Sequence, residues 1–372
     1  MRNQLLLATS IIVASALYSC KKTDSMQMPN NSMNMPDNSM NNASVKIDYP
    51  ALYVVNGQST SISVIRLSDN LVTETIKLGE MSDATHTGMN MATGISWPHH
   101  ISLSPDKTKL SIGVPGMDLS AGHGGVMTGT GKIAILDAVK GTVNNVVNLP
   151  VMNHNAIYSP NGNEIWTSQM QDMGTVLVYD ANSYVLKNTI EVKMMPAEVT
   201  FSSDGSMAFV ANGGSDTVTV IGVGSKMVLG QIKVGGEPVG AWTGADGNMY
   251  VDNEEGKSIT VIRALSMTVD TTISLGFMPG IAAYNNAMSE LWVTDPDNGK
   301  VHWWTKSGDK FTHGGSFDTG AGAHAVAFSQ DGMTAYITNQ GASSVSVADV
   351  MTHKETKEIT VGIKPNGIVI KY

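Results

Sequence analysis

The chain of 372 residues has a single cysteine, Cys20, and this shortage excludes several kinds of site. One thiol cannot form an intrachain disulfide, a cysteine-based zinc site or a c-type haem attachment. Basic clusters are also lacking, because 23 Lys and Arg stand against 32 Asp and Glu, a formal net charge of -9. An acidic chain without a basic patch is a poor partner for a nucleic-acid backbone. No G-x-S-x-G segment occurs either, which excludes the nucleophile elbow of an α/β-hydrolase.

The N-terminus carries an export signal. Arg2 precedes an apolar run, Leu5 to Ala16, which ends at Leu17-Tyr18-Ser19-Cys20. Such a short run is typical of a signal peptide rather than of a spanning helix. Its ending resembles a bacterial lipobox, which implies a signal peptide over residues 1–19 and lipidation of Cys20. We expect an exported protein anchored by lipid in a bacterial membrane, the outer membrane being favoured. A signal peptide cut nearby, or an uncleaved anchor, is the alternative.

Residues 20–45 form a tether rich in Met, Asn and Ser. The segment has too few branched apolar and aromatic residues to build a core, so we expect disorder. Its short repeat pairs methionines as Met-x-Met. Paired thioethers favour Cu(I), which makes the tether a candidate copper-capture segment, while drift in a low-complexity tract explains the same pattern without a metal. The candidate donors are Met26, Met28, Met33 and Met35.

The remaining chain repeats a four-strand unit with a period of about 40 residues, the spacing of propeller blades. The clearest copy runs from Pro196 to Gly235, where β-branched runs alternate with Asp204-Gly205 and Gly213-Gly214 turns. A turn recurs at the same place in the other copies. These turns are Asp106-Lys107, Asn161-Gly162, Asp246-Gly247, Asn286-Ala287 and Asp331-Gly332.

One copy is split between the two ends of the repeat region. Leu52–Asn56 has the pattern of a second strand with no first strand before it, and Pro365–Ile370 has that of a first strand with nothing after it. Joining the two completes a seventh blade and closes the ring, which removes exposed sheet edges. The sequence therefore predicts an all-β, seven-bladed β-propeller of four-stranded antiparallel blades over residues 46–372.

The second strands share a motif. The phrases YVVN, FVAN, YVDN, WVTD and YITN, followed by a turn and then by runs such as SISVI, TVTVI or SITVI, resemble the YVTN-repeat β-propeller family. The resemblance implies the same seven-bladed fold. It implies little about function, because such propellers serve as surface proteins, binding platforms and occasionally enzymes.

Three histidines occupy one equivalent position at the starts of the inner strands: His99, His154 and His324. Three imidazoles at the rim of a propeller channel would converge on one metal ion if their side chains reach far enough. The alternative is that each imidazole hydrogen-bonds a neighbouring strand end or an ordered water.

Two enlarged loops on the same predicted face carry further histidines and methionines. Imidazole suits Cu(II) and thioether suits Cu(I), so a mixed set would tolerate both oxidation states of copper. The proposed mobile donors are His86, His123, Met89, Met91, Met117 and Met127.

These patterns favour binding over turnover, with copper as the expected ligand and no catalytic residue or other cofactor assigned. Replacing His99, His154 and His324 together by Ala is expected to abolish tight copper binding and leave the fold intact. The main alternative is a metal-free interaction or cell-surface scaffold whose Met-rich loops contact a protein partner. A metal-assisted hydrolase or lactonase using Glu198 and Glu237, at the starts of two inner strands, is less favoured.

Overall fold

The computed structural model describes residues 45–82, 90–120 and 129–372, with the backbone alone at 80–82 and 90–92. The predicted signal peptide, the predicted lipidation site Cys20 and almost all of the predicted tether lie outside these residues. Four predicted metal donors also lie outside them: His86, Met89, His123 and Met127.

The described residues form seven four-stranded antiparallel sheets, the blades of a β-propeller. The inner strands of neighbouring blades contact one another around a central channel. From the channel outward, blade 1 consists of Pro365–Lys371, Ala51–Asn56, Ser61–Arg66 and Leu71–Lys77. Blade 2 consists of Ile101–Leu103, Lys109–Val114, Lys132–Asp137 and Val143–Asn148. Blade 3 consists of Ile157–Tyr158, Glu164–Gln169, Thr175–Asp180 and Leu186–Glu191. Blade 4 consists of Pro196–Phe201, Met207–Asn212, Thr217–Gly222 and Val228–Lys233.

The remaining blades have the same order. Blade 5 consists of Pro238–Thr243, Asn248–Asn253, Ser258–Arg263 and Thr268–Ser274. Blade 6 consists of Ala282–Asn285, Glu290–Asp295, Lys300–Ser307 and Lys310–Asp318. Blade 7 consists of Ala323–Phe328, Thr334–Asn339, Ser344–Asp349 and Lys354–Thr360. A small hairpin pairs Glu80–Ser82 with Asn90–Ala92, and Gly213–Ser215 forms a 3-10 helix. Across these described ranges no helix has the length and apolar character needed to cross a membrane.

The core lies between blades, which explains why the second strands are apolar without alternation. In Ala51–Asn56 successive side chains point to opposite faces of the sheet. Leu52 and Val54 pack against blade 7, whereas Tyr53 and Val55 pack against blade 2. Both faces of the strand are therefore buried, and each of its six residues is inaccessible to solvent.

The Asn that ends the second strand in four blades clamps the following turn. In blade 1 the Asn56 amide donates to the hydroxyls of Ser61 and Ser63, at 3.1 and 3.0 Å. Asn339 makes the same pair of bonds in blade 7, to Ser344 and Ser346. This geometry requires Ser or Thr five and seven residues after the Asn, and it gives the shared second-strand motif a physical reason.

The ring closes through blade 1, as the sequence predicts. Pro365–Lys371 pairs antiparallel with Ala51–Asn56, so the inner strand of this blade comes from the far end of the repeat region. The Lys371 ammonium donates to the Ile47 carbonyl over 2.9 Å and ties the two segments together. The split blade and the seven-bladed, all-β fold are confirmed.

Candidate functional site

Blade 2 begins with a β-bulge that turns two consecutive histidines towards the channel. The His99 N–H donates to the Gly113 carbonyl over 2.9 Å, and the Gly113 N–H donates to the His100 carbonyl over 3.0 Å. Two residues thus stand opposite one, which breaks the alternation of a regular strand and re-aims a side chain. The rings of His99 and His100 consequently stack in parallel, 4.4 Å between centroids and 8° between planes.

Two glycines allow blades 1 and 3 to approach this bulge of blade 2 closely. A Cβ on Gly113 would lie 2.6 Å from the His154 carbonyl oxygen, in the backbone of blade 3. A Cβ on Gly367, in blade 1, would lie 2.7 Å from the His100 Cα. The Gly367 N–H also donates to the His99 carbonyl over 3.1 Å. The backbone of blade 2 is therefore held between its neighbours at the level of the imidazoles.

Four histidines meet at this point. One ligand atom from each of His99, His100 and His154 lies within 4.8 Å of the other two. The His99 and His154 rings are 4.3 Å apart, and the His324 ring lies 5.8 Å from His99 and 5.7 Å from His100. The first three side chains are buried, and His324 is partly exposed. The channel is thus narrow enough here to bring imidazoles of blades 2 and 3 within reach of one another, with that of blade 7 beside them.

Glu198, from the start of blade 4, contacts two of these imidazoles with one oxygen. Its Oε1 accepts a hydrogen bond from His154 Nδ1 and lies 2.9 Å from His100 Nδ1. Burial alone raises the pKa of this carboxyl, but the charges and hydrogen bonds of His100 and His154 outweigh burial and lower the pKa to about 2. An ionised carboxylate only accepts hydrogen bonds, so the Nδ1 atoms of His100 and His154 that face it each carry a proton. A ligand would then meet the His100 ring through its Nε2.

His100 Nε2 supports this assignment. The atom is buried and has no hydrogen-bond partner within the described ranges. A buried polar atom without a partner is rare and calls for an ion or a water. A neutral imidazole whose Nδ1–H is held by a carboxylate is also the usual form of a metal-ligating histidine.

A small cavity of about 60 Å³ lies beside the cluster, with His99, His100, His154 and His324 in its wall. The volume matches about two water molecules. Glu254 and the thioether of Met278 line the same cavity. The site therefore offers imidazole, carboxylate and thioether groups around a space suited to an ion and its water.

The cluster fits a metal ion in its chemistry, and its donors have to close in to bind one. Donor atoms around a tetrahedral ion with bonds of about 2.0 Å lie roughly 3.3 Å apart. Those of His99, His100 and His154 are spread over up to 4.8 Å. Ring rotations that shift each nitrogen by about an ångström would bring the three into bonding range.

The structure separates the predicted donors into groups. His99, His154 and His324 lie together, as their equivalent positions indicate, although that they bind a metal stays a prediction. Met117 is 41% exposed and lines a different cavity, beside Met152 and Lys132. Met91 lies in the second strand of the short hairpin, where the structure describes the backbone alone.

Two members of the cluster were not predicted from the sequence: His100 as the fourth histidine, and Glu198 as the carboxylate that contacts two of the rings. A regular strand would place His100 on the face opposite His99. The available signal was the pair of consecutive histidines directly after Pro98. Both side chains join the cluster only because a bulge interrupts the strand, and the sequence pattern did not predict that bulge.

No protein-family model matches the chain, and no curated protein matches it. Solved structures do match. A periplasmic gluconolactonase of Pseudomonas aeruginosa is 17% identical with a TM-score of 0.66, over 87% of this chain and 99% of that one. A putative 6-phosphogluconolactonase of Bacteroides fragilis is 16% identical with a TM-score of 0.66, over 87% and 99%. Hydrazine synthase of Kuenenia stuttgartiensis is 18% identical with a TM-score of 0.59, over 76% and 92%. At these identities the likeness supports the propeller fold and nothing about activity.

Proposed function

We propose that the protein binds one transition-metal ion, with copper the expected ion, through His99, His100 and His154. The observation that carries the proposal is the buried Nε2 of His100, which lacks a hydrogen-bond partner in the described part of the chain, on a ring whose Nδ1 faces Glu198. His324 is the fourth imidazole within reach.

The donor chemistry selects the class of metal. Imidazole suits zinc, copper, iron and nickel, whereas calcium and magnesium take oxygen ligands. Among divalent first-row ions, Cu²⁺ binds nitrogen sites most tightly. Met278 lies in the same cavity and adds a thioether for Cu(I). The buried Glu198 carboxylate supplies one negative charge to balance the cation.

The same proposal makes the protein an exported one, anchored by lipid in a bacterial membrane, with the outer membrane favoured. Cys20 would carry the lipid, and Met26, Met28, Met33 and Met35 would collect copper with low specificity. The propeller would then hold the ion tightly. Because the tether and the propeller offer different donors, chains with and without residues 20–44 separate their contributions.

The test is a competition titration of an untagged chain beginning at residue 45, with Cu(II), Cu(I) and Zn(II). We expect one equivalent of copper, bound more tightly than zinc. His100→Ala is expected to weaken copper binding at least tenfold, and the triple Ala variant of His99, His154 and His324 to abolish tight binding. His313→Ala is the control, because His313 is exposed on the outer strand of blade 6.

Unchanged affinity in the His100 and triple variants would contradict the proposal. If the propeller has no tight metal site, the metal-free interaction scaffold remains as the alternative function. The next experiment would then be a search for a protein partner that binds the histidine-bearing face.

A second candidate is metal-assisted hydrolysis of a lactone. Glu254 lines the cavity that the four histidines share, where a carboxylate could take a proton from a metal-bound water. Two of the similar structures carry lactonase names. The assay is hydrolysis of glucono-δ-lactone by zinc-loaded protein, with Glu254→Gln as the variant. A rate equal to that of the variant and of buffer alone would remove this candidate.

A further inference from the structure

A second cavity, of about 250 Å³, lies along the channel from the histidine cluster. His100, Trp242 and Ile281 line both this lower chamber and the small upper cavity, so they lie between the two. The chamber follows the inner strands onward, past Thr243, Ala283 and Tyr284. A cavity of about 150 Å³ is enough for a benzene ring, so the chamber can hold a substituted ring.

The chamber wall has a single ionisable side chain of the histidine, lysine, arginine or acidic kind, His100. Its lining side chains within the described ranges include no Asp, Glu, Lys or Arg. A phosphate or carboxylate would find no Lys or Arg to pair with there, and burying one unpaired is costly. Inner strands are edge strands of their blades, so backbone N–H and C=O groups facing the channel can bond a neutral polar group.

Trp242 is fixed in place by two unusual neighbours. A Cβ on Gly240 would lie 2.4 Å from the indole Cε2, so only glycine leaves room for this ring. The indole N–H donates to Oδ1 of Asp252, a fully buried carboxyl. Tyr284, the second aromatic wall, stacks on Tyr250 with ring centroids 5.3 Å apart. Both aromatic side chains therefore have a set orientation before any ligand arrives.

From this arrangement we infer that the lower chamber binds an uncharged aromatic molecule of about the size of phenol, next to His100. The aromatic walls supply stacking, which favours a flat ring over a saturated one. His100 Nε2 can accept a hydrogen bond from a hydroxyl on that ring, because no described residue bonds this atom. The same atom is the proposed metal donor, so the inference concerns the metal-free chain, where phenol binding can be measured whether or not the proposed metal function holds.

The experiment measures binding to the metal-free chain by calorimetry, with phenol, cyclohexanol and benzoate as probes. We expect saturable phenol binding, at least fivefold weaker cyclohexanol binding and no saturable benzoate binding. Ala283→Leu fills the chamber and is expected to weaken phenol binding at least tenfold. Ala342→Leu, at an exposed turn, is the matched control.

Val326→Phe fills the chamber from blade 7 and keeps the test decisive if Ala283→Leu does not fold. Loss of phenol binding in either folded filling variant, with binding kept in Ala342→Leu, supports the chamber. No saturable phenol binding to the parent chain, equal affinity in a folded filling variant, or benzoate binding as tight as phenol would overturn the inference.

Discussion

Glu198 is the residue on which the geometry of the cluster depends. It is the acceptor for imidazoles from two blades, so its loss would free both rings to rotate and to change tautomer. Orienting partners of this kind typically change metal affinity by about 10–100-fold. The carboxylate acts through the histidines and need not touch the metal.

Glu198→Gln is expected to weaken copper binding by about 10–100-fold without unfolding the protein. An amide oxygen at the position of Oε1 can still accept from both Nδ1–H groups, but as an uncharged acceptor it holds the two rings less strongly. Competition titration and a thermal melt measure the two effects. Glu290→Gln is a matched control, because Glu290 is a buried carboxylate that contacts His353 over 3.0 Å, in blade 6 and away from the cluster. Equal losses in both variants would show a general effect of removing buried charge.

Asp252 predicts a pH effect of defined sign. Burial, with a smaller contribution from the charge of Glu254, raises the pKa of this carboxyl well above 3.8. The folded state then holds the proton more tightly than the unfolded state. The resulting stability is present below about pH 3.8 and is lost as pH rises through the folded-state pKa.

Asp252→Asn is expected to have the same melting temperature as the parent near pH 4 or below and a higher one as pH rises. Asn cannot ionise and still accepts the indole N–H. Asp331→Asn should show the opposite sign, since hydrogen bonds from Ser329 and Met333 lower the pKa of Asp331. The ionised Asp331 carboxylate therefore stabilises the folded state above pH 3.8, and this stabilisation is lost as pH falls through its lowered folded-state pKa. Parallel curves for all three proteins would contradict both assignments.

At the scale of an element, the start of the inner strand decides what the site contains. The bulge at His99 and His100 presses against Gly113 on one side and Gly367 on the other. Side chains at either glycine would push the imidazoles of neighbouring blades apart. The two glycines therefore set how closely the backbones of blades 1, 2 and 3 approach one another. That spacing in turn sets the distance between the imidazoles of His99, His100 and His154.

Gly113→Ala is expected to cost about 1–3 kcal/mol of unfolding free energy, as overpacking typically does. It should also weaken metal binding, because the new Cβ meets the backbone of His154 and Asn155. Gly230→Ala is the matched control, since a Cβ there has nothing within 4 Å. Urea unfolding and copper competition measure the two effects. A Gly113 variant that keeps full affinity would show that blade spacing does not govern the site.

The repeat pattern made the strands predictable from the sequence. The bulge at His99 and His100 was not predictable, because it is an irregularity within that pattern. Turn dipeptides and all-buried second strands recur in each blade, so strand positions and ring closure follow from periodicity. The equivalent positions of His99, His154 and His324 also followed from it. His100 and Glu198 did not, because their roles depend on a backbone irregularity and on a contact across two blades.

At the scale of the whole molecule, closure of blade 1 completes both the ring and the site. Pro365–Lys371 covers the edge of Ala51–Asn56, and Gly367 from the same strand supports His99. An uncovered strand edge invites pairing with another chain.

Removing residues 364–372 is expected to abolish cooperative unfolding, cause oligomers or aggregates and eliminate tight metal binding. Size-exclusion chromatography, thermal melting and copper titration measure these effects. Removing Tyr372 alone should keep the ring, because it costs only two exposed hydrogen bonds, one from the Gln330 N–H to its hydroxyl and one from the Lys107 ammonium to its carbonyl. A monomeric, cooperatively folding form of the longer truncation would show that six blades hold the ring without this strand.

The strand that closes blade 1 is also synthesised after every other described strand. His99 is synthesised more than two hundred residues earlier, but its carbonyl can accept the hydrogen bond from the Gly367 N–H only after Gly367 has been added to the chain. A chain still being synthesised therefore lacks this support for the backbone of the histidine cluster. If the cluster holds the proposed ion, tight binding would come only after the ring has closed, and bound metal would report a chain that has finished folding.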